Sequence, residues 1–153
     1  MQNTKISRRS FLWRGTALGT FAVGGVTAAR WFNVAGSIEG SALSVAQAHS
    51  TAIAGDITLI DIRRPDEWAR TGVGQGAVPI DMRDPAFVRK LLATAPGRDA
   101  PIALICARGV RSRALAARLK GAGFTRVIDV PEGMLGSGAG PGWLAAGLPV
   151  VKS

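Results

Sequence analysis

The residues Leu104-Ile105-Cys106-Ala107-Arg108-Gly109-Val110-Arg111-Ser112-Arg113 decide the fold of this 153-residue chain. The apolar run that ends at Ile105 predicts a buried strand, and the alanine- and leucine-rich residues 112–121 predict a helix. A short loop with the chain's only cysteine joins them. Backbone N–H groups at the start of a helix lack acceptors within the helix, and together with the helix dipole they favour an anion. The stretch therefore predicts a strand, an anion-binding loop and a helix in series.

Cys106 is expected to face this loop as a thiolate, because helix N-termini and nearby arginines favour the ionised sulfur. Arg108, Arg111 and Arg113 follow it within seven residues. The alternative is a cysteine that is buried as a small hydrophobic residue. Such a concentration of charge is costly to bury unpaired, which favours the reactive cysteine.

The flanking sequence alternates predicted strands and helices. Strands are predicted at 42–44, 57–62, 77–80, 102–105 and 126–130, and helices at 45–54, 66–70, 85–95 and 112–121. Phe87, Val88, Leu91 and Leu92 are predicted to share the buried face of the third helix. The alternation predicts an α/β domain with a mainly parallel central sheet and helices on both faces. Ligands bind at the carboxyl ends of such strands, where residues 61–67 and Cys106 are expected.

Three ordered motifs resemble those of the rhodanese family. Residues 59–68, Leu-Ile-Asp-Ile-Arg-Arg-Pro-Asp-Glu-Trp, are similar to the family's Asp-x-Arg followed by Glu and an aromatic residue. Cys106-x-x-Gly109-x-Arg111-Ser112 resembles its catalytic loop. Gly123-Phe124, residues 127–130, Gly133, Trp143 and residues 147–150 resemble its last strand and last helix. The resemblance covers about residues 41–151 and implies a rhodanese-like domain.

The resemblance implies a sulfurtransferase without a cofactor. Cys106 is expected to take sulfane sulfur from a small anionic donor such as thiosulfate, and to pass it from a persulfide to cyanide or a thiol. The expected substrate-binding residues are Ala107, Arg108, Gly109, Val110, Arg111 and Ser112, whose N–H groups would stabilise the sulfur. Arg108 and Arg111 are expected to bind the donor, although pairing of Arg111 or Arg113 with Asp61 or Glu67 is an open alternative. Asp61, Arg63 and Glu67 are expected to brace the neighbouring loop.

Two other functions would use the same residues. Cysteine-dependent phosphatases and arsenate reductases have five residues between Cys and Arg, whereas Cys106 and Arg111 have four between them. The shorter loop is expected to fit one sulfur atom rather than phosphate. A non-catalytic persulfide carrier or a rhodanese-like binding module is the other alternative, and the presence of Cys106 argues against an inert module.

Two segments depart from the family's pattern. Residues 71–77 keep only Gly76-Ala77 of the usual Gly-His-Ile-Pro-Gly-Ala, and the usual glycine pair after the last strand is Glu132-Gly133. Both changes are expected to alter the rim of the pocket. Residues 134–142 are expected to form either a flap over Cys106 or a connection to a helix at Trp143, and Trp68 and Trp143 are expected to be packing residues.

The N-terminal residues resemble an export signal. Ser7-Arg8-Arg9-Ser10-Phe11-Leu12 is similar to the twin-arginine motif Ser/Thr-Arg-Arg-x-Phe-Leu. Residues 15–29 are uncharged but short for a permanent anchor, which needs about 20 apolar residues. We expect residues 1–36 to be a leader for the twin-arginine export machinery and residues 37–153 to be a periplasmic domain. A protein anchored in the inner membrane and facing the periplasm is the alternative.

The formal charge of +9 is concentrated in this leader. Residues 1–36 contain five of the 19 Lys and Arg residues and none of the 10 acids, so 14 bases and 10 acids remain, a net +4. This charge does not predict a nucleic-acid partner. One cysteine excludes an internal disulfide, and with a single histidine it predicts no structural metal site. The histidine, His49, is expected on a helix surface.

Overall fold

The central sheet has four parallel strands in the computed structural model, which describes residues 42–152. The strands of the chain are β1 Thr58–Asp61, β2 Val73–Gly74, β3 Ala77–Pro79, β4 Ile102–Ile105, β5 Val127–Asp129 and β6 Val150–Val151. Strands β3, β1, β4 and β5 lie side by side in that order, and each neighbouring pair is parallel. Strands β2 and β6 form a separate antiparallel pair.

Helices cover both faces of the central sheet. They are α1 Val45–Ala54, α2 Pro65–Thr71, α3 Phe87–Thr94, α4 Val110–Gly121 and α5 Gly142–Ala145. Successive side chains of a strand point to opposite faces. Ile60 and Leu104 therefore pack with the buried residues of α3 and α4, whereas Leu59 and Ala103 pack with those of α1 and α5. The predicted α/β fold is confirmed.

Helix α1 begins and ends where the sequence predicts. The Ser44 hydroxyl accepts a hydrogen bond from the Gln47 N–H, and the Gln47 side chain accepts one from the Ser44 N–H, which is a capping box. Gly55 ends the helix with φ 80°. Because Ser44 caps the helix, the predicted strand at 42–44 is wrong and is reduced to one bridge between Ala42 and Asp129.

Two of the four residues predicted for the buried face of α3 are exposed. Phe87 and Leu91 are buried, but Val88 and Leu92 are 41% and 38% exposed. Successive side chains of a helix are rotated by about 100° around its axis. Helix α3 has only eight residues, so positions 87 and 91 form the narrow stripe that meets the sheet and the next positions turn toward solvent.

The pair of β2 and β6 is not predicted by the sequence, since each strand has two residues and shows no alternation. The Trp143 side chain packs against β2 of this pair. A Cβ on Gly74 would lie 2.8 Å from the Trp143 ring, and the indole N–H donates to the Pro149 carbonyl over 2.9 Å. Trp143 is fully buried, which confirms its predicted packing role.

The predicted leader and its twin-arginine motif lie outside the described residues. Between residues 42 and 152, no helix has the length and apolar character needed to cross a bilayer. The same part of the chain contains no group of three or more His, Cys, Asp or Glu residues arranged to hold a metal ion.

Candidate active site

Cys106 directly follows β4, which pairs with β1 on one side and β5 on the other. The residue is only 1% exposed. Its sulfur lies beneath the following loop, where the Gly109 N–H donates to Sγ over 3.2 Å and the Ser112 Oγ lies 3.5 Å away. The sulfur therefore faces the loop and the first turn of α4, but it is almost fully enclosed.

Gly109 carries the chain from the loop into α4. Its φ is 81°, and a Cβ at this position would collide with the carbonyl oxygen of Pro131. Glycine meets both requirements because it has no Cβ. The N–H groups of Val110, Arg111 and Ser112 open the helix and lack acceptors in a preceding turn. The turn at Gly109 thus directs the Gly109 N–H to the sulfur. The N–H groups of the next three residues lie at the same end of α4.

The segment after β5 is fixed to the cysteine loop. Met134 N–H donates to the Cys106 carbonyl and Leu135 N–H to the Ala107 carbonyl, both over 2.9 Å. Gly133, with φ 69°, allows this approach, since a Cβ there would lie 2.7 Å from the Arg108 nitrogen. Trp143 N–H donates to the Gly133 carbonyl. Residues 134–142 thus lie against the cysteine loop and lead into α5.

Glu132 stands where the family has the first glycine of its pair. Its side chain is turned inward, and the residue is 7% exposed. One carboxylate oxygen accepts from the Val45 N–H and the other from the Gly142 N–H. The effect of this residue is therefore to tie the first turn of α1 to the start of α5.

Arg111 is paired with Glu67 across the gap between α4 and α2. The guanidinium makes two hydrogen bonds to the carboxylate, of 2.7 and 2.8 Å. These bonds are the main reason why the pKa of Glu67 falls to about 2, while partial burial acts in the opposite direction. The pKa of Arg111 is raised first by Glu67 and to a smaller extent by the nearby Cys106 sulfur. The sequence left open whether Arg111 or Arg113 pairs with Asp61 or Glu67. In the structure, Arg111 pairs with Glu67.

The other two arginines near Cys106 are more exposed. Arg108 makes one long hydrogen bond, 3.4 Å, to the Gly136 carbonyl. The Arg113 side chain is 76% exposed, and its Nε lies 3.9 Å from Asp129 Oδ2. Arg108 is therefore the least restrained arginine of the loop itself.

Asp61 and Arg63 form a buried ion pair at the end of β1. Both residues are at most 1% exposed, and the guanidinium donates to both carboxylate oxygens. It also donates to the Thr71 hydroxyl and the Gly72 carbonyl, each over 2.7 Å. The pair thus joins the end of β1 to the end of α2, the helix that contains Glu67.

The sequence analysis missed Asp129, which ends β5. The residue is 7% exposed, and its Oδ1 is buried without a hydrogen-bond partner among residues 42–152. Burial raises the pKa of the Asp129 carboxyl, while the neighbouring Ser112 hydroxyl and the Arg113 charge act against the rise. A single acid within the apolar run Val127-Ile128-Asp129-Val130 is the signal that identifies it.

Comparisons with known proteins agree with this fold. The model of the rhodanese-like domain family matches residues 44–137, which include the loop at Cys106. A sulfurtransferase of Allochromatium vinosum is 28% identical over 96 residues, which are 63% of this chain and 79% of that protein. A rhodanese-related protein from Thermoplasma volcanium is 27% identical, with a TM-score of 0.56 over 73% of this chain and 98% of that one. The polysulfide-sulfur transferase homodimer of Wolinella succinogenes is 23% identical, with a TM-score of 0.57 over 83% of this chain and 90% of that one.

The substitution Gly109→Ala is expected to destabilise the protein through the collision with Pro131. Gly55→Ala is a matched control, because Gly55 has nearly the same φ and a Cβ added there would have no neighbour within 4 Å. The left-handed conformation costs about 1–2 kcal/mol at either position, and overpacking adds about 1–3 kcal/mol at position 109. Urea unfolding of both variants measures the difference. Equal losses in the two variants would contradict the close approach.

Proposed function

The chain belongs to the rhodanese-like domain family, and from this premise we propose that it is a sulfurtransferase that carries sulfane sulfur as a persulfide on Cys106. The observation that carries the proposal is the position of the sulfur. Cys106 Sγ accepts the Gly109 N–H at the N-terminus of α4, where negative charge is favoured. A thiolate in such a place is a nucleophile rather than a packing residue.

The proposed reaction has two displacement steps. In the first, the Cys106 thiolate attacks the outer sulfur of a donor such as thiosulfate, an S–S bond forms, and sulfite leaves with the electron pair of the broken bond. In the second, cyanide or a thiolate attacks the outer sulfur of the persulfide, and the Cys106 thiolate leaves. Each step exchanges one bond to sulfur for another, so the cycle needs no cofactor.

Cys106 is 1% exposed, so a sulfur atom added to Sγ would lie next to the loop and the first turn of α4. An S–S bond is about 2.05 Å long, so the outer sulfur of a persulfide extends beyond the enclosed Sγ by that distance. The N–H groups of Val110, Arg111 and Ser112 are the donors available to it at this end of α4. They would stabilise the negative charge of the persulfide in the same way as the Gly109 N–H supports the thiolate.

The donor's anionic group is proposed to bind Arg108. Arg111 is held by Glu67 through both of its terminal nitrogens, which leaves its charge near Cys106 but occupies its fork. Arg108 is exposed, and in the described part of the chain its side chain makes only the long contact to Gly136. A planar guanidinium of this kind binds the oxygens of a tetrahedral anion well.

Incubation with thiosulfate is expected to add the mass of one sulfur atom to the protein, located at Cys106 by peptide mass spectrometry. Cyanide should remove it with release of thiocyanate. The Cys106→Ser variant should give neither the adduct nor turnover, with unchanged thermal unfolding. A protein that never acquires the sulfur would favour the binding module, and an adduct that cyanide and small thiols leave in place would favour a carrier with a specific protein acceptor.

The substitution Arg108→Gln is expected to raise KM for thiosulfate about tenfold with a smaller effect on kcat, because one charge-assisted contact to the donor is lost. Arg118→Gln is the matched control, since Arg118 is an exposed arginine in the last turn of the helix that follows the loop. Steady-state kinetics at fixed ionic strength measure both. An equal change in the two variants would show that only net charge matters.

We also propose that the protein is exported through the twin-arginine pathway to the periplasm, on the basis of Ser7-Arg8-Arg9-Ser10-Phe11-Leu12. Replacement of both arginines by lysine keeps the charge and removes the motif. Fractionation of cells that express the full chain should then find the protein in the cytoplasm instead of the periplasm. Unchanged export of this variant would refute the proposal, and membrane retention of the unaltered chain would favour the anchored alternative.

A further inference from the structure

Two apolar side chains extend into solvent beside the loop that holds Cys106. Val110, in the first turn of α4, is 76% exposed, the highest value for a large apolar residue between positions 42 and 152. Leu135 is 44% exposed, and its N–H donates to the carbonyl of Ala107 in the same loop over 2.9 Å. Ala107 and Val110 are three residues apart, so their Cα atoms are separated by at most about 11 Å. Both apolar side chains therefore border the loop.

Neither the fold nor the small substrates account for these two side chains. Val110 and Leu135 belong to neither of the two buried clusters that form the core. Thiosulfate, sulfite and cyanide are small anions with little apolar surface to bury against them. A small ligand is bound in a concave site that encloses most of its surface, whereas these side chains protrude. An apolar patch with a polar rim is typical of a surface that binds another protein.

The rim of this patch carries a positive charge. Four arginines and two carboxylates lie on the loop, on α2 and at the residue before α2: Arg64, Arg70, Arg108, Arg111, Asp66 and Glu67. Glu67 is shared by Arg111 and Arg64, and Asp66 is shared by Arg64 and Arg70. Arg108 contacts only the Gly136 carbonyl within the described part of the chain. The group has a net charge of +2, so the complementary partner is acidic.

We propose that Val110, Leu135 and Arg108 form a docking surface for a protein that accepts the sulfur through a cysteine flanked by apolar and acidic residues. The inference rests on the proposed sulfurtransferase function and specifies its acceptor. The thiolate of the partner protein attacks the outer sulfur of the Cys106 persulfide, and a new S–S bond forms on the partner. The Cys106 thiolate leaves with the electron pair of the broken bond. The partner departs as a persulfide, and Cys106 is again a thiolate.

The burial of Cys106 restricts the shape of this acceptor. Cys106 is almost fully enclosed, and the outer sulfur of its persulfide lies only one S–S bond beyond Sγ. The partner has to bring its sulfur to that atom while its backbone stays outside the protruding side chains of Val110 and Leu135. A cysteine on an extended loop or a chain terminus meets this requirement. Arg108 serves both steps in turn, because sulfite has left before the acceptor binds.

The test measures how fast cysteine peptides discharge the Cys106 persulfide, which is formed beforehand on the full chain with thiosulfate. The probes are three peptides blocked at both ends: Leu-Glu-Cys-Glu-Leu, Ser-Glu-Cys-Glu-Ser and Leu-Lys-Cys-Lys-Leu. Rate constants are expressed per thiolate, because the flanking charges change the pKa of the peptide thiol. The first peptide should react at least fivefold faster than either of the others.

Two leucine variants separate the surface from general effects. Leu135→Gln removes the apolar surface at about the same size, and it should bring the first two peptides within twofold of each other. Leu92→Gln is the matched control, since Leu92 is similarly exposed but lies near the end of α3, which returns the chain to the start of β4. This control should keep the fivefold preference. Turnover of thiosulfate with cyanide should stay unchanged in both variants, and thermal unfolding verifies that both are folded.

The outcomes distinguish the docking surface from the function on which it rests. Equal rate constants for the three peptides, or a preference that Leu135→Gln leaves intact, would overturn the docking surface. A dimer of the unaltered protein that Leu135→Gln converts to a monomer in sedimentation would also overturn it, because a second copy would then cover the patch. A persulfide that cyanide and all peptides discharge alike would remove the surface and leave the sulfurtransferase function. A protein that acquires no persulfide would remove the function and the surface together.

Discussion

The close approach of two backbone segments, residues 106–109 and 131–135, is the constraint on which the site depends. It requires glycine on both sides, because a Cβ on Gly109 meets the Pro131 carbonyl and a Cβ on Gly133 meets the Arg108 nitrogen. The carbonyls of Cys106 and Ala107 are directed to the N–H groups of Met134 and Leu135. In a trans peptide the carbonyl and the following N–H point in opposite directions. The contact with one segment therefore turns the N–H groups of Ala107 and Arg108 away from it and fixes the orientation of the loop.

The electrostatics of the site come more from oriented dipoles than from net charge. Three arginines follow the cysteine in the sequence, but the guanidinium of Arg111 is paired with Glu67 and that of Arg113 is largely in solvent. A charge paired at 2.7 Å has a much weaker field at a distance than a free one. The backbone N–H of Gly109, in contact with the sulfur, needs no counter-charge and cannot be displaced by salt.

The sequence predicts those parts of the structure that local chemistry determines. Strand β4 is buried at every position and so appears as an unbroken apolar run. Helix α1 carries its own start and stop signals at Ser44 and Gly55. The parts that the sequence missed or left open depend on partners far along the chain. Glu132 binds the N–H of a residue 87 positions away, and Arg111 binds Glu67 across 44 positions. No local pattern distinguishes such a side chain from a solvated one.

The pairing of Arg111 with Glu67 also bears on the choice between sulfur and phosphorus chemistry. A phosphoryl group has several oxygens to satisfy at once, and an arginine serves it by offering two parallel N–H donors. In this protein both donors already bind a carboxylate whose pKa is about 2, so it stays ionised and does not release the guanidinium at neutral pH. Entry of phosphate would bring its charge against that of Glu67 and require the pair to break. The proposed persulfide adds one atom at the cysteine and would bind backbone N–H groups, so it does not require the pair to break. The pairing of Arg111 with Glu67 therefore supports the proposed sulfur transfer over phosphoryl transfer.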